Sequence, residues 1–150
     1  MITAVDTNIL LDIFTNDPRF GATSAKALRE SIHTGALVIC EIVLAETATL
    51  FEDLSVLEDA LQKLSISFSG MTEKSALYAA EIWRSYRKAG GQRQRMVADF
   101  LIAAHATCQC DRLLSRDRGF YKTHFKDLSL VEPLESGIGN RESGIGNRGT

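Results

Sequence analysis

The chain has no apolar run approaching the ~20 residues that a membrane-spanning helix needs. No charged start followed by an apolar segment marks a signal peptide. Its three cysteines, an odd number, argue against a disulfide framework. Cys108 and Cys110 form a C-x-C pair, but no second pair or nearby histidine completes a zinc set. The cysteines are therefore expected to be reduced thiols in a cytoplasmic protein. Excess positive charge is missing as well: 17 basic and 19 acidic residues leave a net charge of −2. Any nucleic-acid binding must come from a local basic patch. No G-x-x-x-x-G-K phosphate loop occurs, which argues against a nucleotide cofactor.

What is present centres on the first dozen residues, MITAVDTNILLD. Ile2 to Val5 are apolar and partly β-branched and read as a buried strand. Asp6 stands where that strand ends. Thr7 and Asn8 are good residues for starting a helix, and Ile9, Leu10, Ile13 and Phe14 continue with helical spacing. A strand that runs straight into a helix is typical of the central strand of an α/β sheet, where ligands gather at the carboxyl ends near the switch point. Asp6 occupies that place, either as a site residue or as a helix N-cap.

Asn16, Asp17 and Pro18 mark a turn. The spacing then predicts a helix over Phe20 to His33, with Ala22, Ala25, Leu28 and Ile32 inward. A strand over Ala36 to Cys40 leads to a helix over Glu41 to Phe51, with Ile42, Ala45 and Thr49 as its stripe and Glu46 beside it. At ~100° per residue, Glu41 and Glu46 stand ~140° apart and cannot share a face. Leu54 to Leu64 reads as a helix and Ser65 to Ser69 as a strand. Thr72 caps a helix through Arg87 whose apolar face holds Leu77, Ala80, Ile82 and Trp83. Lys88 to Arg95 is a basic, glycine-rich loop. Met96 to Cys108 is nearly all apolar and small and reads as a buried helix, with Asp99 in its first turn. Arg112 to Ser115 and Ser129 to Val131 are the last strands. The seven residues ESGIGNR occur at Glu135 to Arg141 and again at Glu142 to Arg148. This repeat is too poor in apolar residues to pack, so residues 135–150 are expected to be a disordered tail on a domain spanning residues 1–134. The alternation of strands and helices implies a mostly parallel sheet of about five strands with helices on both faces.

Four acids stand out by position: Asp6 after the first strand, Glu46 after the second, Asp117 after the fourth, and Asp99 at the head of an apolar helix. Two carboxylates ~4 Å apart repel by about 4 kcal/mol at an effective dielectric near 20. Three or four together would consume much of a domain's ~5–15 kcal/mol stability unless protonated, paired with arginine or bound to a cation. Asp and Glu oxygens without His or Cys suit a hard ion such as Mg²⁺ or Mn²⁺. The chemistry such a site serves best is phosphoryl or phosphodiester transfer.

The same stretches resemble the PIN-domain family, of the VapC type that forms the toxin half of bacterial toxin–antitoxin pairs. DTNILLD at Asp6 to Asp12, LAE at Leu44 to Glu46, ADFLIAAHA at Ala98 to Ala106 and LLSRDRGFY at Leu113 to Tyr121 resemble its four motifs in order. Ser115 stands where threonine is more usual, which keeps the hydroxyl. The resemblance implies a PIN-like α/β fold and a metal-dependent ribonuclease. It implies that Asp6, Glu46 and Asp99 hold Mg²⁺ or Mn²⁺ and that Asp117 holds a second ion or the water network. Asn8 and Ser115 would orient these carboxylates. A metal-activated water would then cut an RNA phosphodiester in line, leaving a 5′ phosphate. The family also implies a cognate antitoxin protein as partner and a homodimer.

Arg93, Arg95 and Arg116 are the candidates for neutralising RNA phosphates; the alternatives are a solvated surface or salt bridges to the acids themselves. His105 is ~120° round its helix from Asp99 and is expected to pack in the core. Asp12, ~120° from Asp6 by helical spacing, is expected at the surface. A haloacid-dehalogenase phosphatase would need a second Asp where Asn8 stands. The remaining rival is a catalytically idle PIN-like module that works by binding a partner protein or RNA; the four intact acids argue against it.

Overall fold

The computed structural model describes residues 1–91 and 97–134. Arg93, Arg95 and the C-terminal repeat lie outside those residues. In chain order the described residues form β1 (Ile2–Val5), α1 (Thr7–Phe14), α2 (Gly21–Ile32), β2 (Ala36–Ile39), α3 (Glu41–Ala48) and α4 (Leu54–Lys63). They continue with β3 (Ile66–Phe68), α5 (Glu73–Lys88), α6 (Val97–Gln109), β4 (Arg112–Leu114), α7 (Arg118–His124) and β5 (Leu130–Val131).

The five strands make one sheet in the order β3-β2-β1-β4-β5, and every pairing is parallel. Thus the sheet is wholly parallel, and β1 is its central strand, as its apolar sequence suggests. Ala4 lies opposite Val38 on one side and Leu113 on the other, so the central strands end nearly level. The chain steps outward from β1 through β2 to β3, then returns to the other side of β1 for β4 and β5. The switch point therefore falls between β1 and β4, where open α/β sheets bind ligands.

The core collects the strand residues Val5, Leu37, Ile39, Leu113 and Leu114 with Ile9 and Leu10 of α1 and Phe100 of α6, all at most 1% exposed. Burying a side chain of this size contributes ~1.5–3 kcal/mol. Phe100 anchors an aromatic cluster, its ring centroid 5.3 Å from Phe120 and 5.2 Å from Tyr86.

Three helix faces differ from the sequence expectation. On α2 the buried residues are Gly21, Ser24, Ala27, Leu28 and Ser31, while Ala22 is exposed. Small residues admit close approach to α1: a Cβ on Gly21 would stand 3.2 Å from the Asp12 carbonyl. On α5 Leu77 is 61% exposed, and Ser75 and Ala79 are the buried residues. On α3 Val43 and Thr47 are buried and Ala45 is exposed. That helix is apolar on most sides, so periodicity could not choose its face. The capping of α5 by Thr72 is present, with the Ser75 amide donating to Thr72 Oγ1 at 3.2 Å. One helix, α7, is not announced by any pattern in the sequence. Among the described residues no helix is long and apolar enough to cross a membrane.

Gly35 turns the chain from α2 into β2 with φ of 144°, and a Cβ there would lie 1.9 Å from the Met1 carbonyl oxygen. Gly35→Ala is expected to cost about 2 kcal/mol or more, lowering Tm by roughly 4–8 °C for a chain of this length. A Cβ on Gly119 would meet nothing within 4 Å, so Gly119→Ala should leave Tm unchanged or slightly raised. Equal Tm values for the two variants by thermal melt would contradict the packing of Gly35 against Met1.

Candidate active site

The sheet delivers Asp6 to the carboxyl edge of β1. The Asp6 amide donates to the Leu114 carbonyl at 2.9 Å, which extends the β1–β4 ladder by one residue. Asp6 is also the N-cap of α1: its backbone is extended and its Oδ1 accepts from the Thr7 amide at 2.7 Å. Only 4% of the residue is exposed. Its other oxygen, Oδ2, gathers three donors: Ser115 Oγ at 2.7 Å, Tyr121 Oη at 3.0 Å and Asn8 Nδ2 at 3.4 Å.

Burial nonetheless dominates, and the Asp6 carboxyl is pushed up to about 6 from its ordinary 3.8. The Ser115, Tyr121 and Thr7 hydrogen bonds oppose that rise, while the negative charge of Asp99 adds to it. Between pH 3.8 and about 6 the folded chain therefore holds a proton that the unfolded chain has lost. Stability falls as pH rises through this window, by on the order of 3 kcal/mol once Asp6 is ionised. A counter-charge on ionised Asp6 would recover that cost.

Glu46, exposed on α3, is tied to the same edge because Thr7 Oγ1 donates to Glu46 Oε1 at 2.5 Å. Glu41 points elsewhere, as its helical angle requires: its Oε1 accepts from the Met71 amide at 2.9 Å. Asp117 directly precedes α7, and its amide donates to Ser115 Oγ at 2.9 Å. The buried Ser115 hydroxyl thus accepts from Asp117 and donates to Asp6. Asp99 is half-buried in the first turn of α6. Burial holds the Tyr121 hydroxyl far above its ordinary range, reinforced by the charges of Asp6, Asp99 and Asp117. The Tyr121 hydroxyl donates directly to Asp6, and Thr7 ties Glu46 to the same strand edge.

Two expectations need correction or refinement. Asp12 is not at the surface: it is 3% exposed, because α2 covers the side of α1 that carries it. Arg116 is engaged with that residue, its Nε 2.6 Å from Asp12 Oδ2, the salt-bridge alternative to a free RNA contact. His105 is a core residue, 1% exposed, with Nε2 3.1 Å from Ser69 Oγ. Sequence reasoning missed two groups. Tyr121 lies four residues past Asp117, one helical turn, so a helix recognised there would have placed both on one side. Thr7 looks, in the sequence, like a helix starter and nothing more.

Among the described residues no three His, Cys, Asp or Glu side chains converge closely enough to enclose an ion by themselves. The donor chemistry still fits a hard cation. Mg²⁺ keeps several waters and is commonly held by only one or two carboxylates, and Asp6 is a desolvated carboxylate whose Oδ1, among the described residues, accepts one hydrogen bond.

A wholly parallel sheet with acids at its switch point is the layout in which open α/β proteins bind their ligands. Residues 3–126 match the PIN domain family, and the chain belongs to that family of nucleases. Its fold is similar to that of VapBC2 from Rickettsia felis bound to a DNA fragment from its promoter, at TM-score 0.70 and 22% identity over 88% of this chain and 98% of that one. It is also similar to FitAcB from Neisseria gonorrhoeae, at TM-score 0.62 and 25% identity over 89% and 98% of the two chains. A third likeness, to the sarcin-ricin loop cleaving toxin VapC20 of Mycobacterium tuberculosis, has TM-score 0.57 and 16% identity over 85% and 98%. Comparison with curated protein sequences gives no match.

In metal-free protein, carbon-13 NMR should find the Asp6 carboxyl titrating near pH 6. Tyr121→Phe removes a donor to the charged form and should raise that midpoint by roughly 1–2 units, the equivalent of about 1.5–3 kcal/mol for a hydrogen bond to a charge. A wild-type midpoint near 3.8, or no change in the variant, would contradict the placement of Asp6.

Proposed function

We infer that this chain is an endoribonuclease dependent on Mg²⁺ or Mn²⁺ and acts as the toxin of a toxin–antitoxin pair. The observation that carries the nuclease reading is Asp6, a carboxylate buried at the switch point with one oxygen crowded by donors and the other, among the described residues, held by a backbone amide. Asp6, Glu46 and Asp99 would hold the ion, with Asp117 serving a second ion or its waters. When bound, such an ion polarises a phosphate, activates water and stabilises the leaving oxygen.

The chain's own residues set up that chemistry. Ser115, Tyr121 and Asn8 fix the rotation of the Asp6 carboxylate. The Thr7 hydroxyl holds Glu46 beside it, and the Asp117 amide is anchored on Ser115. Burial of Asp6 strengthens the electrostatic contacts its carboxylate makes. Arg93 and Arg95 are proposed as RNA phosphate contacts. The toxin role, an antitoxin protein as partner, a homodimer and a cytoplasmic location rest on family membership and on the likeness to VapBC and FitAB-type complexes.

Purified chain freed of antitoxin should cut RNA with Mg²⁺ or Mn²⁺ and stop in chelator. Asp99→Asn should lower cleavage at least as much as losing an outer partner does, about 10–100-fold or more, with circular dichroism unchanged. Equal cleavage by wild type and variant would refute the assignment of Asp99. Protein that neither binds Mn²⁺ nor cuts RNA would instead support the idle binding module.

A further inference from the structure

Asp12 and Arg116 have no part in the chemistry above, yet the structure spends a buried carboxylate on joining them. Asp12 is near the end of α1 and 3% exposed. A buried carboxylate is tolerated only with close partners, and among the described residues Asp12 accepts three side-chain hydrogen bonds from two residues. Arg116 Nε donates to Oδ2 at 2.6 Å, Arg116 Nη2 to Oδ1 at 2.9 Å, and Ser24 Oγ to Oδ2 at 2.7 Å. The guanidinium therefore meets the carboxylate as a two-pronged fork, the geometry that arginine alone offers. The Phe20 ring covers it, 3.9 Å from Cζ to the ring centroid. Two of its nitrogens are used and one face is covered, while 30% of the side chain stays exposed.

The same helix grips Arg116 a second time. The Arg116 amide donates to Asn8 Oδ1 at 3.2 Å, while Asn8 Nδ2 lies 3.4 Å from Asp6 Oδ2 and 3.3 Å from Ser115 Oγ. Asn8 and Asp12 are one turn apart on α1, so one rigid element holds the residue by main chain and side chain together. On either side of Arg116 in sequence stand Ser115, whose hydroxyl is on Asp6, and Asp117, whose amide is on Ser115.

We propose that Asp12 and Arg116 are a positioning pair for the active site, clamping the Ser115–Asp117 turn onto α1 so that Ser115 stays on Asp6 and Asp117 stays beside it. The proposal rests on the nuclease reading and deepens it. It makes Arg116 a positioning residue and removes it from the RNA-contacting surface.

The test compares wild type, Asp12→Asn, Arg116→Lys and the double variant, each checked for fold by circular dichroism. Three quantities are read: kcat and KM for RNA cleavage, the Mn²⁺ affinity of the RNA-free protein by calorimetry, and hydrogen exchange at the Asp117 amide without metal or RNA. Each single variant is expected to lower kcat and weaken Mn²⁺ binding about 10–100-fold, the usual effect of losing an outer partner. KM should hold within about twofold, because uniform substrate binding is untouched. The double variant should be no worse than either single one, and Asp117 exchange should speed up in all three. A raised KM at unchanged kcat in Arg116→Lys alone would make Arg116 an RNA contact and overturn the proposal. Wild-type kcat, Mn²⁺ affinity and Asp117 exchange in variants with lowered Tm would overturn it too, leaving a pair that only stabilises the fold. Asp12→Asn carries the test by itself if Arg116→Lys does not fold. Wild-type protein that neither binds Mn²⁺ nor cuts RNA would sink the nuclease reading and the proposal with it, whereas normal wild-type behaviour with indifferent variants sinks the proposal alone.

Discussion

One buried carboxylate constrains the rest of this molecule. Asp6 is carried out of water by the central strand, and burial pushes its carboxyl up to about 6. Such a group needs donors, and the chain brings them from distant places. Ser115 follows β4, Tyr121 comes from α7, and Asn8 and the Thr7 amide come from the first turn of α1. The convergence requires β4 to lie directly against β1, and α7 to fold back over the strand ends. It also explains why a serine and a tyrosine, each 1% exposed or less, keep their hydroxyls beside the sheet.

The parallel sheet makes this convergence cheap. Strands that run the same way end at the same edge, so residues following β1, β2 and β4 become neighbours without any long loop. Around Asp6 the order of support runs outward. Ser115 and Tyr121 touch its carboxylate, Asn8 and the Asp117 amide touch Ser115, and Arg116 touches Asn8 and Asp12. Each layer is held by groups from α1, so this helix is both the first structural consequence of Asp6, which caps it, and the frame for what surrounds Asp6.

Much of this was legible in the chain itself. The apolar run before Asp6 and the helix starters after it marked the strand end, and the small apolar residues after Asp99 marked the helix that buries against the sheet. The faces of α2 and α5 were legible in part: Leu28, Ile32, Ile82 and Trp83 pack on the core as their spacing suggests, while close helix packing also buries Ser, Gly and Ala that periodicity does not count. Helix α7 was hidden because only Phe120 and Tyr121 of its seven residues are buried, too few for a period. The Asp12–Arg116 pair joins residues 104 positions apart, and no local pattern announces such a contact. Tyr121 was hidden for both reasons at once: its helix has no period and its partner lies 115 positions away.

Donors crowd Asp6 Oδ2, and the proposed cation would then be held at Oδ1. Crystals of the chain grown or soaked with Mn²⁺, measured at the manganese absorption edge, test it directly. The expected result is an anomalous peak in contact with Asp6 Oδ1, with Ser115 and Tyr121 still on Oδ2. A peak coordinated through Oδ2 with those hydroxyls displaced, or bound manganese away from Asp6 altogether, would contradict it.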